Sequence, residues 1–221
     1  MGVLGSAVSA VATAGELLGR LVSPARCAAC DSEVTPRVVF CGGCAATVEV
    51  VCAESGAQSM AAFVYGGAIA QAIALFKYEA RPDLARPLAD LLWRAVEPHA
   101  AFHTGALVVP VPLHPARLAE RGYNQSALLA GRIARRLGSP WNPLALLRTR
   151  DTPQQASLGR VDRLANVGDA FLVRKASRVR GARVLLVDDV TTTGATLRAC
   201  EAALTQAGAA SVACAVLARA P

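Results

Sequence analysis

Short apolar runs of strand length alternate along this chain with longer stretches in which apolar residues return every three or four positions. Ala61 to Tyr65 is the first such run; it breaks at Gly66-Gly67. A helix is predicted from Ala68 to Tyr78, with Ile69, Ala72, Ile73 and Phe76 on one side, and a second from about Leu84 to Val96. Ala106 to Val111 reads as a buried strand that Pro110 and Pro112 bring to an end. Asn124 to Leu137 is predicted helical, with Leu128, Leu129 and Ile133 inward. Trp141 to Thr149 reads as irregular or as a short strand, and Phe171 to Val173 as a strand. Val184 to Val187 is apolar without alternation, the pattern of a parallel strand covered on both faces. A helix from Ala195 to Ala207, a Gly208 cap and a last strand from Ser211 to Leu217 complete an α/β pattern.

The break in polarity at the end of Val184 to Val187 is the most informative point. Asp188 and Asp189 follow the strand, then Val190, the turn Thr191-Thr192-Thr193-Gly194, and Ala195-Thr196 opening a helix. Free N–H groups of a helix's first turn and its macrodipole form an anion cradle. Gly194 lets the backbone approach a phosphate, and the threonine hydroxyls add donors. Carboxylates repel phosphate; they suit neutral vicinal hydroxyls, with Mg²⁺ as a second partner. Phosphate and diol sites side by side describe a ribose 5-phosphate. The competing reading is an ordinary N-cap and turn, since Asp and Thr are common caps. The order of residues resembles the phosphoribosyl-diphosphate (PRPP) motif of type I phosphoribosyltransferases.

Composition adds less. At 221 residues with 53% apolar and 18% charged residues, the chain is expected to fold around one sizeable core, with room for a small appendage. A net charge of +7 suits a polyanion and does not separate a diphosphate sugar from nucleic acid. No stretch reaches the ~20 uninterrupted apolar residues of a membrane span. Met1 to Ala14 is apolar but lacks the basic start of a signal peptide, and Met1 to Ser6 fits a myristoylation pattern short enough to arise by chance. An amphipathic helix through Leu17, Leu18 and Leu21 is the expected use of this region, and the protein is expected to be cytoplasmic.

Four of the seven cysteines form two Cys-x-x-Cys knuckles, Cys27 with Cys30 and Cys41 with Cys44. Tandem knuckles can bring four thiolates to one tetrahedral ion, and zinc is the default in a reducing compartment. A redox dithiol, a disulfide pair or an Fe–S site are the alternatives. Cys52 is spare, and Cys200 and Cys214 read as core residues. Residues 53–59 form an expected linker, which divides the chain into a cysteine segment at 1–58 and a larger domain at 59–221.

The loop after Pro112 gathers His114, Arg117 and Arg121 at a strand's carboxyl end, where open α/β sheets bind ligands, and two arginines there suit a diphosphate. For each arginine alone, a solvated loop is a close alternative. Arg150 to Val167 is polar, either an active-site lid or a surface crossing, and Arg174 to Arg180 is a solvated basic run.

Taken together, the double Cys-x-x-Cys, Phe76-Lys77-Tyr78, Val109-Pro110-Val111-Pro112-Leu113-His114, Arg121-Gly122-Tyr123-Asn124-Gln125, Gln154-Gln155 and Asp188-Asp189 resemble the ComF/GntX family of competence-related, phosphoribosyltransferase-like proteins over nearly the whole length. The resemblance implies a mostly parallel five-stranded sheet with helices on both faces, preceded by a small zinc-binding segment. It implies that Asp188 and Asp189 hold ribose hydroxyls, that Thr191 to Thr196 receive the 5′-phosphate, and that the loop after Pro112 faces the diphosphate and Mg²⁺. Lys77 and His114 are carried over as PRPP-binding positions; the residues name no general base, and His114 is a candidate for one by position alone. A transferase of this kind displaces diphosphate from C1 of the ribose, with Mg²⁺ and Arg117 or Arg121 stabilising the leaving charge. The alternative is a non-catalytic competence factor that kept the cradle and handles single-stranded DNA, directly or through a helicase of DNA uptake. Aromatics are only 5% and scattered, which counts against direct strand binding.

Overall fold

The computed structural model describes residues 25–51, 58–149 and 170–221. The expected Leu17–Leu21 helix, Cys52 with most of the expected linker, and the expected lid from Arg150 to Val167 lie outside the described residues. Strands are β1 (Ser59–Val64), β2 (Leu107–Pro110), β3 (Leu146–Arg148), β4 (Phe171–Val173), β5 (Arg183–Thr191) and β6 (Ser211–Arg219). Helices are α1 (Gly42–Ala45), α2 (Gly67–Tyr78), α3 (Ala85–Val96), α4 (Ala100–His103), α5 (Pro115–Arg121), α6 (Gln125–Leu137) and α7 (Ala195–Gln206).

Four strands form the main sheet in the order β1-β6-β5-β2, all parallel. The unbroken apolar run of β5 now has its cause. Leu185 and Val187 join the core under α2, α3 and α6, with Ile69, Phe76, Leu92 and Ile133. Val184 and Leu186 face the other way, into a second core with Val109, Leu197, Cys200 and Leu204. Each fully buried side chain of this size stabilises by about 1.5–3 kcal/mol, so both faces must be apolar. Cys200 and Cys214 are buried, as expected of core residues.

In place of a fifth full strand, residues 140–142 run along the β2 edge: Val108 donates to the Pro140 carbonyl at 2.8 Å and Asn142 donates back to Val108 at 3.0 Å. The opposite edge is extended by the cysteine segment, whose Val51 amide donates to Ala62 at 3.1 Å in β1. The short strands β3 and β4 pair antiparallel beside the sheet.

One element differs in kind from the sequence expectation. Residues 115–121, expected as loop, form α5. Pro115 sits in the first turn, the His114 side chain caps Ala116, and Gly122 at φ 78° ends the helix. The start and stop signals were present, but the helix is too short to show a periodic apolar face.

Candidate functional site

Three sequence-distant segments meet where β5 ends. Asp188 and Asp189 are still within β5 and both are buried. The N-terminus of α6 lies against them. Its cap, Asn124, accepts from the Ala127 amide and donates to the Val111 carbonyl at 3.0 Å, which ties the helix start to the end of β2. The next two side chains hold the acids: Gln125 Nε2 donates to Asp189 Oδ2 at 3.2 Å, and Ser126 Oγ to Asp188 Oδ1 at 2.7 Å. The third segment is the last turn of α2, whose Lys77 Nζ reaches Asp189 Oδ1 at 2.8 Å.

These contacts give the two acids different states. Asp189 is neutralised by Lys77. Burial disfavours the lysine's charge, but Asp189, helped by Asp188, outweighs this and holds its pKa above the ordinary value. Among the described residues, Asp188 has no cation of its own. Burial, with the Asp189 charge adding, pushes it up to about 7, against the pull of the Ser126 hydroxyl and Lys77. The Asp189 amide also donates to Asp188 Oδ1 at 2.9 Å. Gln125 Oε1 is buried and meets no donor among the described residues.

The turn after β5 leaves donors open. Among the described residues, none accepts a hydrogen bond from the amides of Thr192, Thr193 or Gly194. Gly194 is left-handed at φ 73°, and a Cβ there would lie 2.8 Å from Arg198 Nη1. Arg198, in the first turn of α7, donates to the Thr193 carbonyl at 2.8 Å and adds a positive charge to the turn.

A cleft of about 390 Å³ unites these groups. Lys77, Asp188, Asp189, Val190, Thr192, Thr193, Ala195 and Thr196 line it, and Arg117 and Arg121 of α5 form its basic side. Thr191 and Gly194 do not line it; the Thr191 carbonyl accepts from Ala220. His114 also stays outside the lining and serves as the cap of α5. Sequence reasoning gave no site role to Gln125, Ser126, Arg148 or Arg198. Arg148 enters the cleft on β3, with its guanidinium 5.7 Å from the Phe171 ring centre. Arg198 was findable, since four residues after Gly194 is one helical turn into α7.

The cysteines form a second candidate site. The sulfurs of Cys27, Cys30, Cys41 and Cys44 all lie within 4.8 Å of one another and could hold a metal ion. Cys30 and Cys41 are 3.7 Å apart, sulfur to sulfur, which matches the roughly 3.7 Å edge of a tetrahedron with ~2.3 Å zinc–sulfur bonds. Backbone donation, chiefly from Cys44, and the Ser32 hydroxyl hold the Cys41 thiol down at about 6. Among the described residues, no helix is long and apolar enough to cross a membrane.

Residues 124–221 match the phosphoribosyl transferase domain family. The chain is 36% identical over 152 residues to the DNA utilization protein YhgH of Escherichia coli, covering 67% of this chain and 66%, just under two thirds, of that relative's length. It is 33% identical over 175 residues to Competence protein F of Haemophilus influenzae, covering 77% and 74%. With Competence protein ComFC of Streptococcus pneumoniae it shares 28% over 157 residues, covering 71% and 66%. Among solved structures, it is similar to an allosteric regulatory enzyme of purine biosynthesis (TM-score 0.42, 22% identity, 65% of this chain and 29% of that one). It is also similar to TT1426 of Thermus thermophilus (TM-score 0.35, 20% identity, 62% and 83%). At such scores neither solved structure bears on the assignment. The cleft, the domain match and these relatives together place the chain in the competence protein F (ComF) family of phosphoribosyltransferase-domain proteins.

Proposed function

We propose that the cleft binds a phosphorylated ribose, PRPP with Mg²⁺, and that the larger domain at 59–221 is built to present it. The observation that carries this reading is the unequal acid pair beside open amides. Asp189 is neutralised by Lys77, while Asp188 keeps acceptor capacity and has no ion-pair partner of its own among the described residues. Two carboxylates so arranged accept hydrogen bonds from vicinal hydroxyls, and their repulsion of the nearby phosphate is halved. The amides of Thr192 and Thr193, with the Thr193 and Thr196 hydroxyls and the start of α7, take the 5′-phosphate, and Gly194 shapes the turn that presents them. Arg117 and Arg121 stand on the side where the diphosphate lies and stabilise charge on a leaving group there. Asp188, in the cleft lining, would be available to hold a Mg²⁺ bound with the diphosphate, which would supply charge stabilisation to the leaving group. Zinc is the metal we assign to Cys27, Cys30, Cys41 and Cys44, whose thiols suit a reducing cytoplasm.

We place this site in DNA handling because two relatives are named for DNA utilization and for competence. The net charge of +7 supports contact with an anionic strand, and a non-catalytic sensor of PRPP is the second reading. Calorimetric titration of PRPP with Mg²⁺, wild type beside Asp188→Asn and Asp189→Asn, tests the cleft; no binding by the wild type sinks it. Diphosphate release across a panel of nucleobases then separates transferase from sensor. Fluorescence anisotropy with single-stranded DNA at two salt concentrations tests the strand: binding that weakens steeply with salt supports direct contact.

A further inference from the structure

We infer that the cysteine segment positions Lys77 by bonding the start of α2 and the segment just beyond its end, so that metal binding and PRPP affinity are coupled. This rests on the cleft reading above and extends it to residues of the N-terminal segment.

At the start of α2, the Ala68 amide donates to Thr47 Oγ1 at 2.9 Å. The same hydroxyl donates at 2.8 Å to the carbonyl of Cys44, the last metal-type ligand. One side chain therefore links a cysteine knuckle to the first turn of the helix. The approach is close enough to exclude any side chain at Gly67, which sits at φ 46°, where a Cβ would lie 2.4 Å from the Thr47 carbonyl oxygen. Three residues beyond the end of α2, Arg81 Nη1 pairs with Asp31 Oδ1 at 3.2 Å. Asp31 follows Cys30 directly, and its amide donates to the Cys27 carbonyl at 3.0 Å. One knuckle thus holds the start of the helix that carries Lys77, and the other holds the segment that follows it.

Ile69, Ile73 and Phe76 already bury the inner face of α2. Apolar packing of this kind is non-directional and leaves a helix some freedom to slide along its axis. Hydrogen bonds at the helix start and just beyond its end are directional and restrict that freedom. Axial position matters because Lys77 Nζ meets Asp189 at 2.8 Å, a contact that a shift of about 1 Å would lengthen beyond hydrogen-bond range. Tyr123, whose hydroxyl donates to the Phe76 carbonyl, ties the same helix end to the chain segment just after α5. A displaced α2 therefore disturbs both the acid pair and the basic side of the cleft.

The test uses the full chain with zinc bound. Thr47→Val removes the hydroxyl and keeps the shape; Thr47→Ser keeps the hydroxyl; Gly67→Ala attacks the same contact from the helix side. Zinc stoichiometry, Mg²⁺-PRPP affinity by calorimetry and amide exchange across residues 68–76 are measured for each. We expect Thr47→Val and Gly67→Ala to keep the metal, weaken PRPP about three- to tenfold and speed exchange in α2, with Thr47→Ser close to wild type. Removing zinc with a chelator is expected to speed exchange in α2 as well. Unchanged PRPP affinity in zinc-loaded Thr47→Val and Gly67→Ala, while Lys77→Met weakens it, overturns the coupling and leaves the cleft reading standing. A wild type that does not bind PRPP overturns the cleft reading and this inference with it.

Discussion

Lys77→Met isolates what the lysine does for the buried acids. Its ammonium lies 2.8 Å from Asp189 Oδ1, with side chains 20% and 5% exposed. At an effective dielectric of about 20, unit charges at that distance attract by about 6 kcal/mol. Desolvation of both groups offsets much of this in the intact pair. Deleting one partner exposes the imbalance, and the general cost is about 3–5 kcal/mol. Gln125 Nε2 remains on Asp189 at 3.2 Å, which places the expected loss near the lower end, about 3 kcal/mol. In a chain of this size that corresponds to a melting temperature lower by about 6–12 °C.

The loss must also depend on pH. Lys77 pulls down the Asp188 carboxyl, which burial has pushed up to about 7, so removing the lysine raises it further. The folded variant then holds that proton to higher pH than the folded wild type, and its stability falls further as pH rises above about 7. The deficit against wild type is therefore larger at pH 8 than at pH 5. Adding Asp189→Asn to Lys77→Met removes the orphaned charge and recovers most of the loss. Urea unfolding of wild type, single and double variants at pH 8 and pH 5 reads all of this. A Lys77→Met protein within about 0.5 kcal/mol of wild type at pH 8, or a deficit that ignores pH, refutes the electrostatic account.

Ser126→Ala removes the 2.7 Å hydrogen bond to Asp188, and should cost about 1–3 kcal/mol in urea unfolding while moving the carboxyl titration, followed by carbon NMR, further up. Asp188→Asn removes an acid that burial holds at about 7, so the wild type loses stability between about pH 4 and 7 where the variant does not. Thermal melts across that range should show the two curves separating as pH rises, with the variant the more stable at pH 8. Gly194→Ala introduces a Cβ at φ 73° against the movable end of Arg198. It should cost about 1–2 kcal/mol of stability in urea unfolding and weaken phosphate binding in calorimetry, and unchanged affinity would remove the turn from the phosphate site.

What the sequence showed and what it hid follow from how each signal is written. The central strand and its flanking helices were legible because burial on two faces imposes an unbroken apolar run, and burial on one imposes the 3.6 period. The acid pair was legible because two charges at the end of such a run have no structural excuse. The edges were not. Residues 140–142 and 49–51 join the sheet through a few backbone bonds each, and such bonds leave no trace in side-chain identity. Likewise α5 spans too few residues for periodicity, although its cap, proline and terminal glycine were all in view.

The partners of the acid pair were harder to read for a different reason. Lys77, carried over as a PRPP-binding position only through the resemblance, looks by itself like a cation placed to suit a helix dipole, and Gln125 and Ser126 look like first-turn polar residues of α6. Each local explanation is sufficient by itself, so nothing local asks for a second one. The demand comes from elsewhere: two adjacent buried carboxylates on β5 cannot both stay charged without a cation and donors brought to them through space. A chain with such a pair at the end of its central strand must therefore spend polar residues at the ends of the helices that pack over that strand. Lys77 at the end of α2 and Gln125-Ser126 at the start of α6 meet that demand here. The acids are thus the legible half of a site whose other half is set by their burial, and the clamp on α2 is the device that keeps the two halves in register.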